Sequence, residues 1–197
     1  MFWKRSRKPF LPGVVLLALW AATAMTTSTV TAGVAKGGDF TLNAPDGPLS
    51  LSDLRGKVVL IFFGYTSCPD VCPISLGRID ASFSAMDASE LERVQALFIT
   101  LDPERDTADR LEKYTRYFHR NIIGLRGDEK AINSVASQYG VNYSKDLMPG
   151  SALGYSISHP TSILLLDDEG HIVENVSHDA KSTYLLSRIR DLLNSSD

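Results

Sequence analysis

An unbroken apolar run, Val58-Val59-Leu60-Ile61, leads the chain into a short segment that holds its only two cysteines, Cys68 and Cys72. Apolar runs of this length are typical of a strand that is buried on both faces. The cysteines follow within a few residues, and a helix is expected to begin near Pro73. The sequence therefore predicts a buried strand, a tight loop and a helix start, with both cysteines close to that start.

This position of the two cysteines favours chemistry over packing. The first backbone N–H groups of a helix lack partners within the helix and form the positive end of its dipole, so they favour thiolate over thiol. Thiolate is the form that binds soft metal ions and attacks disulfides. The alternative is a disulfide that braces the fold, although a loop as short as Cys68–Cys72 removes little entropy from the unfolded chain.

The first residues have the pattern of a targeting leader. A basic segment that ends at Lys8 is followed by an apolar stretch, and no charged residue occurs again before Lys36. The residues Val30-Thr31-Ala32 resemble a cleavage site, which predicts a signal peptide in residues 1–32. The uncharged interval is also long enough to cross a bilayer, so a retained N-terminal membrane anchor is the alternative. One folded domain is predicted in residues 36–197.

The predicted domain is acidic, and its predicted compartment is oxidising. After the leader the chain has 16 Lys and Arg against 23 Asp and Glu, a formal charge of −7. This charge argues against nucleic acid as a partner. The leader predicts export across the cytoplasmic membrane, into the periplasm or anchored in the membrane and facing it, where disulfide bonds persist.

Strand and helix patterns alternate along the predicted domain. A turn at Pro45-Asp46-Gly47-Pro48 predicts an N-terminal hairpin, and apolar runs predict buried strands at Lys57–Gly64 and Val94–Leu101. Four predicted helices have these inward-facing residues: Leu76, Ile79, Phe83 and Met86; Leu111, Tyr114 and Phe118; Ile132, Val135, Ala136 and Tyr139; and Leu185, Leu186, Ile189, Leu192 and Leu193. This order, with Cys68 at the end of a central strand, predicts a three-layer α/β domain of thioredoxin type.

One segment shows no periodicity. Ser144–Ser158 contains a proline and two glycines, and we interpret it as a mobile inserted loop. Beyond it, Thr161–Leu166 and His171–Val176 flank the turn Asp167-Asp168-Glu169-Gly170 and predict a second hairpin. The predicted fold therefore has an inserted loop before the strand beside which His159 lies.

Two thiolates need at least one further ligand to form a metal site, and the four histidines are the natural candidates. His171 lies in a hairpin turn and His178 lies ahead of the last helix, so both are expected at the surface. His119 ends a helix, where a cation suits the dipole. His159 directly precedes a buried strand, and in a thioredoxin-like layout that junction lies beside the cysteine loop. His159 is therefore the candidate third ligand.

A ligand set of Cys68, Cys72 and His159 favours copper. Cu(I) accepts two thiolates and an imidazole in trigonal geometry, whereas structural zinc normally has a fourth ligand. Met148 offers a thioether, but a lone methionine in a loop usually has no such role. Ligand softness by itself does not exclude zinc.

Four stretches of the chain occur together, in this order, in one known family. They are Leu54-Arg55-Gly56-Lys57, Gly64-Tyr65-Thr66-Ser67-Cys68-Pro69-Asp70-Val71-Cys72-Pro73, Leu101-Asp102-Pro103-Glu104-Arg105-Asp106-Thr107, and His159 placed 11 residues before Gly170. With them, the segment from about Lys36 to the C-terminus resembles the SCO/SenC family of copper-binding assembly factors for cytochrome c oxidase.

The resemblance implies a thioredoxin-like fold and copper bound by Cys68, Cys72 and His159. It also implies delivery of copper to the dicopper centre of cytochrome c oxidase subunit II, or reduction of the cysteines there. The family usually has Asp before this His and Ser or Thr after it, where this chain has Ser158 and Pro160. An acidic neighbour orients an imidazole, so its loss leaves the balance between chaperone and reductase open. Pro160 also resembles the cis-proline that faces the cysteines of thiol oxidoreductases.

Three functions therefore compete. A copper chaperone would bind copper without turnover and pass it to subunit II or another copper-accepting protein. An exported thiol–disulfide oxidoreductase would use the same cysteines, although their three-residue spacer departs from the usual Cys-x-x-Cys motif. A peroxidase of peroxiredoxin type is less favoured, because the Pro and Thr that such enzymes place upstream of their reactive cysteine are not both present before Cys68. His159 discriminates, since a chaperone needs it and dithiol exchange does not.

The other polar residues of these stretches have structural interpretations. Asp70 is expected to form a turn rather than to bind copper. Asp102 is expected to begin a Pro turn and Asp106 to cap a helix. Tyr65 is expected to pack beside the cysteine loop.

Overall fold

The structure is a computed structural model that describes residues 1–2 and 37–195. The chain divides into two compact units, Met1–Ala32 and Gly33–Asp197. The predicted leader lies almost entirely outside the described residues, so a signal peptide or a membrane anchor stays a prediction. Within the described part of the chain, no helix is both long and apolar enough to span a bilayer.

Residues 37–195 form nine strands, five α-helices and a short 3-10 helix at Leu51–Leu54. The strands are β1 (Thr41–Ala44), β2 (Gly47–Ser50), β3 (Val58–Gly64), β4 (Val94–Thr100), β5 (Ile122–Leu125), β6 (Ser144–Leu147), β7 (Tyr155–Ser158), β8 (Ile163–Leu166) and β9 (Ile172–Val176). The helices are α1 (Val71–Phe83), α2 (Ala88–Glu92), α3 (Ala108–Phe118), α4 (Glu129–Gln138) and α5 (Ser182–Ser195). The hairpin β1–β2 and the hairpin β8–β9 are both as predicted.

Five strands form the central sheet, in the order β5-β4-β3-β8-β9. Strand β3 is parallel to β4, and β4 is parallel to β5, whereas β8 is antiparallel to both β3 and β9. Every residue of β3 is buried, as its apolar run predicts. Gly64 pairs with Thr100 at the ends of β3 and β4, so the loops that follow these two strands leave the sheet at the same edge.

Helices cover both faces of this sheet. The ring of Phe62 in β3 lies 6.0 Å from that of Phe98, which in turn contacts Tyr114 of α3. The next residue, Phe63, contacts Tyr139 at the end of α4. Successive strand residues point to opposite faces, so α3 and α4 lie on opposite sides of the sheet. Since α1 packs against both α3 and α5, the result is the predicted three-layer, thioredoxin-like architecture.

Helix α1 begins at Val71, close to Pro73 as predicted. Two details of the predicted helices are wrong, and one helix is missed. Helix α1 ends at Phe83, so Met86 is buried beyond its end. Thr107 rather than Asp106 caps α3, because the Thr107 hydroxyl accepts the N–H of Arg110. Helix α2 has no counterpart among the predicted elements. It has only five residues, and none of them is buried, so it leaves no apolar pattern.

The inserted segment Ser144–Ser158 forms a β-hairpin, where the sequence predicts an irregular loop. Strands β6 and β7 pair only with each other, as a two-stranded sheet separate from the central one. All four residues of β6 are exposed, and Ile157 alone is buried in β7. Without a buried face the hairpin has no alternating apolar pattern, which explains why periodicity does not reveal it.

The absence of a side chain at Gly64 lets the start of α1 lie close against the sheet. A Cβ atom at residue 64 would lie 2.9 Å from Cys72 Sγ and 2.8 Å from the ring of Phe98. Both of those side chains are fully buried, so neither can move aside without disturbing its neighbours.

We expect Gly64→Ala to lower the free energy of unfolding by about 1–3 kcal/mol, the usual cost of overpacking a core. Urea denaturation measures this change. Gly77→Ala in α1 is the matched control: a Cβ there meets nothing within 4 Å, so stability should rise by about 0.5–1 kcal/mol. A Gly64→Ala chain as stable as the native one would show that the contact with Cys72 has room to relax.

Candidate metal centre

The two cysteines lie where β3 gives way to α1. Cys68 is in the connecting loop and is half-buried, whereas Cys72 is in the first turn of α1 and is fully buried. Both are free thiols. The backbone N–H groups of Asp70 and Cys72 donate to Cys68, so the helix start stabilises negative charge on that sulfur.

The two thiols differ in pKa. A hydrogen bond from the Cys72 thiol, together with those N–H groups, lowers the pKa of Cys68 to about 5. The same bond and burial raise the pKa of Cys72. These shifts favour the thiolate at Cys68 and the neutral thiol at Cys72. The helix start therefore favours thiolate at Cys68, whereas at Cys72 the hydrogen bond with Cys68 and burial oppose it.

His159 follows β7 directly and faces Cys72. Its Nδ1 lies 2.7 Å from the carbonyl oxygen of Pro160, and since a carbonyl only accepts, Nδ1 carries the hydrogen. In the neutral ring the free lone pair is then on Nε2, which lies 3.8 Å from Cys72 Sγ. Burial lowers the pKa of the imidazole, which favours this neutral form. The ring is held edge-on between Phe62 and Tyr65, at 6.4 and 6.1 Å.

These distances fall short of a closed metal site. Among residues 1–2 and 37–195, no group of three or more His, Cys, Asp or Glu side chains is arranged so that it could hold a metal ion. Bonds of about 2.2 Å in a trigonal site would separate the donors by roughly 3.8 Å. Cys72 and His159 already have that separation, and Cys68 is linked to the pair through its hydrogen bond with Cys72.

Asp106 holds the cysteine loop in place. Its fully buried carboxylate accepts hydrogen bonds from the N–H and the hydroxyl of Thr66 and from the hydroxyl of Thr100, the last at 2.6 Å. Arg110 adds bonds to the hydroxyls of Thr66 and Ser67. The sequence predicts Asp106 as a helix cap and gives no role to Arg110, since nothing in the spacing of either residue shows which distant loop it reaches.

Comparison with known proteins identifies the family of this chain. The family model named SCO1/SenC matches residues 28–194. The chain belongs to the SCO1/SenC family. Among its relatives, the mitochondrial protein SCO2 of Saccharomyces cerevisiae is 35% identical over 161 residues, 80% of this chain and 53% of that protein. An SCO2-like protein of Rickettsia conorii is 33% identical over 156 residues, 79% of this chain and 76% of that protein. The chain thus spans about half the length of the yeast relative.

Solved structures of Sco proteins have the same fold as this SCO1/SenC chain. ScoI of Arabidopsis thaliana with copper bound gives a TM-score of 0.72 at 30% identity, covering 82% of this chain and 99% of that one. ScoI of Bradyrhizobium japonicum with copper bound gives 0.72 at 36% identity, covering 81% and 100%. These matches confirm the predicted family and the thioredoxin-like fold.

The other three histidines of the SCO1/SenC domain have partners of their own. His171 is exposed beside Asp167 and Glu169, and the Nδ1 of His178 lies 3.0 Å from the Thr161 hydroxyl. His119 accepts the N–H of Asn121 at Nδ1, and burial lowers its pKa. Both features favour the neutral imidazole at the end of α3.

The remaining candidates are placed as follows. Asp70 is exposed and makes no side-chain bond to the start of α1, and Met148 is partly exposed in the turn of the β6–β7 hairpin. Tyr65 is buried beside the loop, as predicted. Asp102 is fully buried and pairs with Arg105. The described residues contain no cis peptide bond, so Pro160 differs from the cis-proline of thiol oxidoreductases, contrary to the predicted resemblance.

The lowered pKa of Cys68 predicts how its alkylation depends on pH. We expect the rate with iodoacetamide to rise through a pH of about 5 and to level off above it, because thiolate is the reactive form. Mass spectrometry assigns the modified residue. In Cys72→Ala, which lacks the S–H donor, the midpoint should move up toward the ordinary value of about 8.5. A midpoint that stays near 5 in this variant would show that the helix N–H groups act alone.

Proposed function

We propose that this chain is a copper chaperone in which Cys68, Cys72 and His159 hold the copper ion as cargo. The observation that carries the proposal is the line of contacts from the Cys68 thiolate to Cys72 and on to the free lone pair of His159 Nε2. Two sulfurs and an imidazole match the soft, low-coordinate preference of Cu(I) better than that of zinc. Similar Sco proteins that hold copper support the choice of metal.

Copper binding requires that Cys72 give up its proton to solvent, because thiolate is the ligand form. Cys68 would then supply the third donor, beside Cys72 and His159. His159 needs no proton change at Nε2, since the bond from Nδ1–H to Pro160 already fixes the tautomer. Cys68 is half-buried while Cys72 is enclosed, so an acceptor's ligand would reach the metal from the side of Cys68.

We propose the dicopper centre of cytochrome c oxidase subunit II as the recipient, or another copper-accepting protein. The family to which the chain belongs supports a role in oxidase assembly. Residues 1–32 would export the domain across the cytoplasmic membrane, either as a cleaved signal peptide or as an anchor that tethers it beside a membrane-bound acceptor.

The asymmetric thiols also favour a second candidate function, a thiol–disulfide oxidoreductase. The Cys68 thiolate would attack a partner disulfide, forming a mixed disulfide and releasing one partner thiolate. Cys72 would lose its proton and attack Cys68 Sγ, which forms the Cys68–Cys72 disulfide and releases the second partner thiol. The dithiol supplies two electrons, and a thiol reductant must then restore it.

Copper titration of the reduced full chain tests the first proposal. We expect one Cu(I) per chain, measured by competition with a chromophoric chelator, with binding lost in Cys68→Ser and Cys72→Ser. His159→Ala should weaken binding by at least about tenfold. His178→Ala is the control, since that imidazole has its own partner in Thr161. Full copper retention by Cys72→Ser would rule out the proposed ligand set.

The two functions are separated by the oxidised chain and by His159. A Cys68–Cys72 disulfide has no thiolate, so we expect it to bind no Cu(I). The dithiol/disulfide potential of His159→Ala should stay within about 30 mV of the native value, because imidazole is not consumed in thiol exchange. If His159→Ala binds copper as the native chain does but loses reductase activity, the oxidoreductase replaces the chaperone as the function.

A further inference from the structure

We propose that Arg105 is a positioning residue for His159. It fastens the β6–β7 hairpin to the turn after β4 and so sets where His159 stands relative to the cysteines. The inference rests on the proposed function, in which His159 binds copper, and extends it to a residue that does not touch the metal.

The hairpin needs such a fastening because the central sheet does not hold it. Strands β6 and β7 form their own two-stranded sheet, and the side chains of β6 are all exposed. Ile157 is the one residue of β7 that is buried in the core. Since His159 is the first residue after β7, any sliding or tilting of the hairpin moves the imidazole directly.

Arg105 contacts both the backbone of the β6–β7 hairpin and the aromatic ring of Tyr155. Its Nη1 donates to the carbonyl oxygens of Leu153, at 2.9 Å, and Tyr155, at 3.1 Å. Its guanidinium carbon lies 3.7 Å from the centre of the Tyr155 ring. A planar guanidinium has donors in fixed directions and a face that stacks on aromatic rings. One side chain therefore restrains both the position and the orientation of the hairpin relative to the turn after β4.

The Arg105 side chain is also bound to a carboxylate that is buried in the core. Arg105 Nε pairs with the carboxylate of Asp102, which is fully buried and also accepts the Tyr155 hydroxyl at 2.7 Å. The Asp102 N–H donates to the Thr100 hydroxyl. That same hydroxyl donates to Asp106, the carboxylate that holds the cysteine loop. One turn therefore sets the position of both halves of the proposed site.

A second line of contact leads from Arg105 to the imidazole itself. The guanidinium lies 5.8 Å from the ring of Tyr65, and that ring lies 6.1 Å from His159. The nearby pair Lys145–Glu104 also joins the hairpin to the turn, at 2.8 Å, but it is exposed and adds little. Arg105 is much less exposed, at 21%, so its bonds are less weakened by water.

A double-mutant cycle on Cu(I) affinity in the reduced full chain tests the proposal. The four proteins are native, Arg105→Ala, His159→Ala and the double variant. We expect Arg105→Ala to lower the affinity by about tenfold in the native background, as loss of a residue that orients a ligand does. In the His159→Ala background the same change should have almost no effect, because there is no imidazole left to position.

Further measurements separate positioning from general loss of structure. Arg105→Lys keeps the charge beside Asp102 but lacks the planar donor pair, so it should not restore affinity. The dithiol/disulfide potential should stay unchanged, and amide exchange should speed up in residues 144–158 but not in β3 or β4. Arg188→Ala is the matched control: that arginine pairs with Glu174 and Asp191, and its loss should leave affinity unchanged.

The outcomes distinguish failure of the proposed function from failure of the proposed role of Arg105. If His159→Ala keeps full affinity, the proposed function fails and the role of Arg105 fails with it. If His159→Ala weakens binding but Arg105→Ala has no effect, or an equal effect in both backgrounds, only the role of Arg105 is overturned. Should Arg105→Ala not fold, Tyr155→Leu replaces it in the cycle, because it removes the ring against which Arg105 stacks and the hydroxyl bonded to Asp102.

Discussion

The buried carboxylate of Asp106 ties together the ends of the two central strands, β3 and β4, and the arrangement at this edge of the sheet depends on it. A buried charge is costly unless hydrogen bonds compensate it, and here the bonds come from Thr66, beyond β3, and Thr100, at the end of β4. Moving the cysteine loop would leave a charge with too few donors. The hydrogen bonds that offset the cost of burying the carboxylate therefore also hold the cysteine loop in place.

The fixed loop gives the two sulfurs different environments. Cys68 faces the N–H groups at the start of α1, while Cys72 is pressed against Gly64 and Phe98 in the core. One sulfur is therefore held as a thiolate and the other as a thiol that donates to it. A shared proton keeps the pair from carrying two buried negative charges when no metal is bound. The same asymmetry suits disulfide exchange, so thiol geometry alone does not separate the two proposed functions.

The sequence predicts the sheet, the main helices and the junction that bears the cysteines, because each of these leaves a periodic or unbroken apolar pattern. It predicts His159 as the third ligand only through the layout of a thioredoxin-like fold. What it misses has two physical causes. The β6–β7 hairpin has no buried face, so it leaves no alternating apolar pattern. The loop-holding role of Asp106 and the proposed role of Arg105 depend on polar bonds between residues distant in sequence, and such bonds leave no periodicity.

The proposed site thus has two halves with different support. The cysteines lie beside the buried sheet and at the start of α1. His159 follows a hairpin that is held by buried Ile157, by partly buried Tyr155 and by polar contacts that include those of Arg105. Substitutions in the hairpin can therefore move the imidazole without touching the dithiol. With the proposed ligands, copper affinity would depend on both halves, while a Cys68–Cys72 disulfide would depend on the first alone. A chain built this way can change how tightly it holds copper and keep its thiol chemistry.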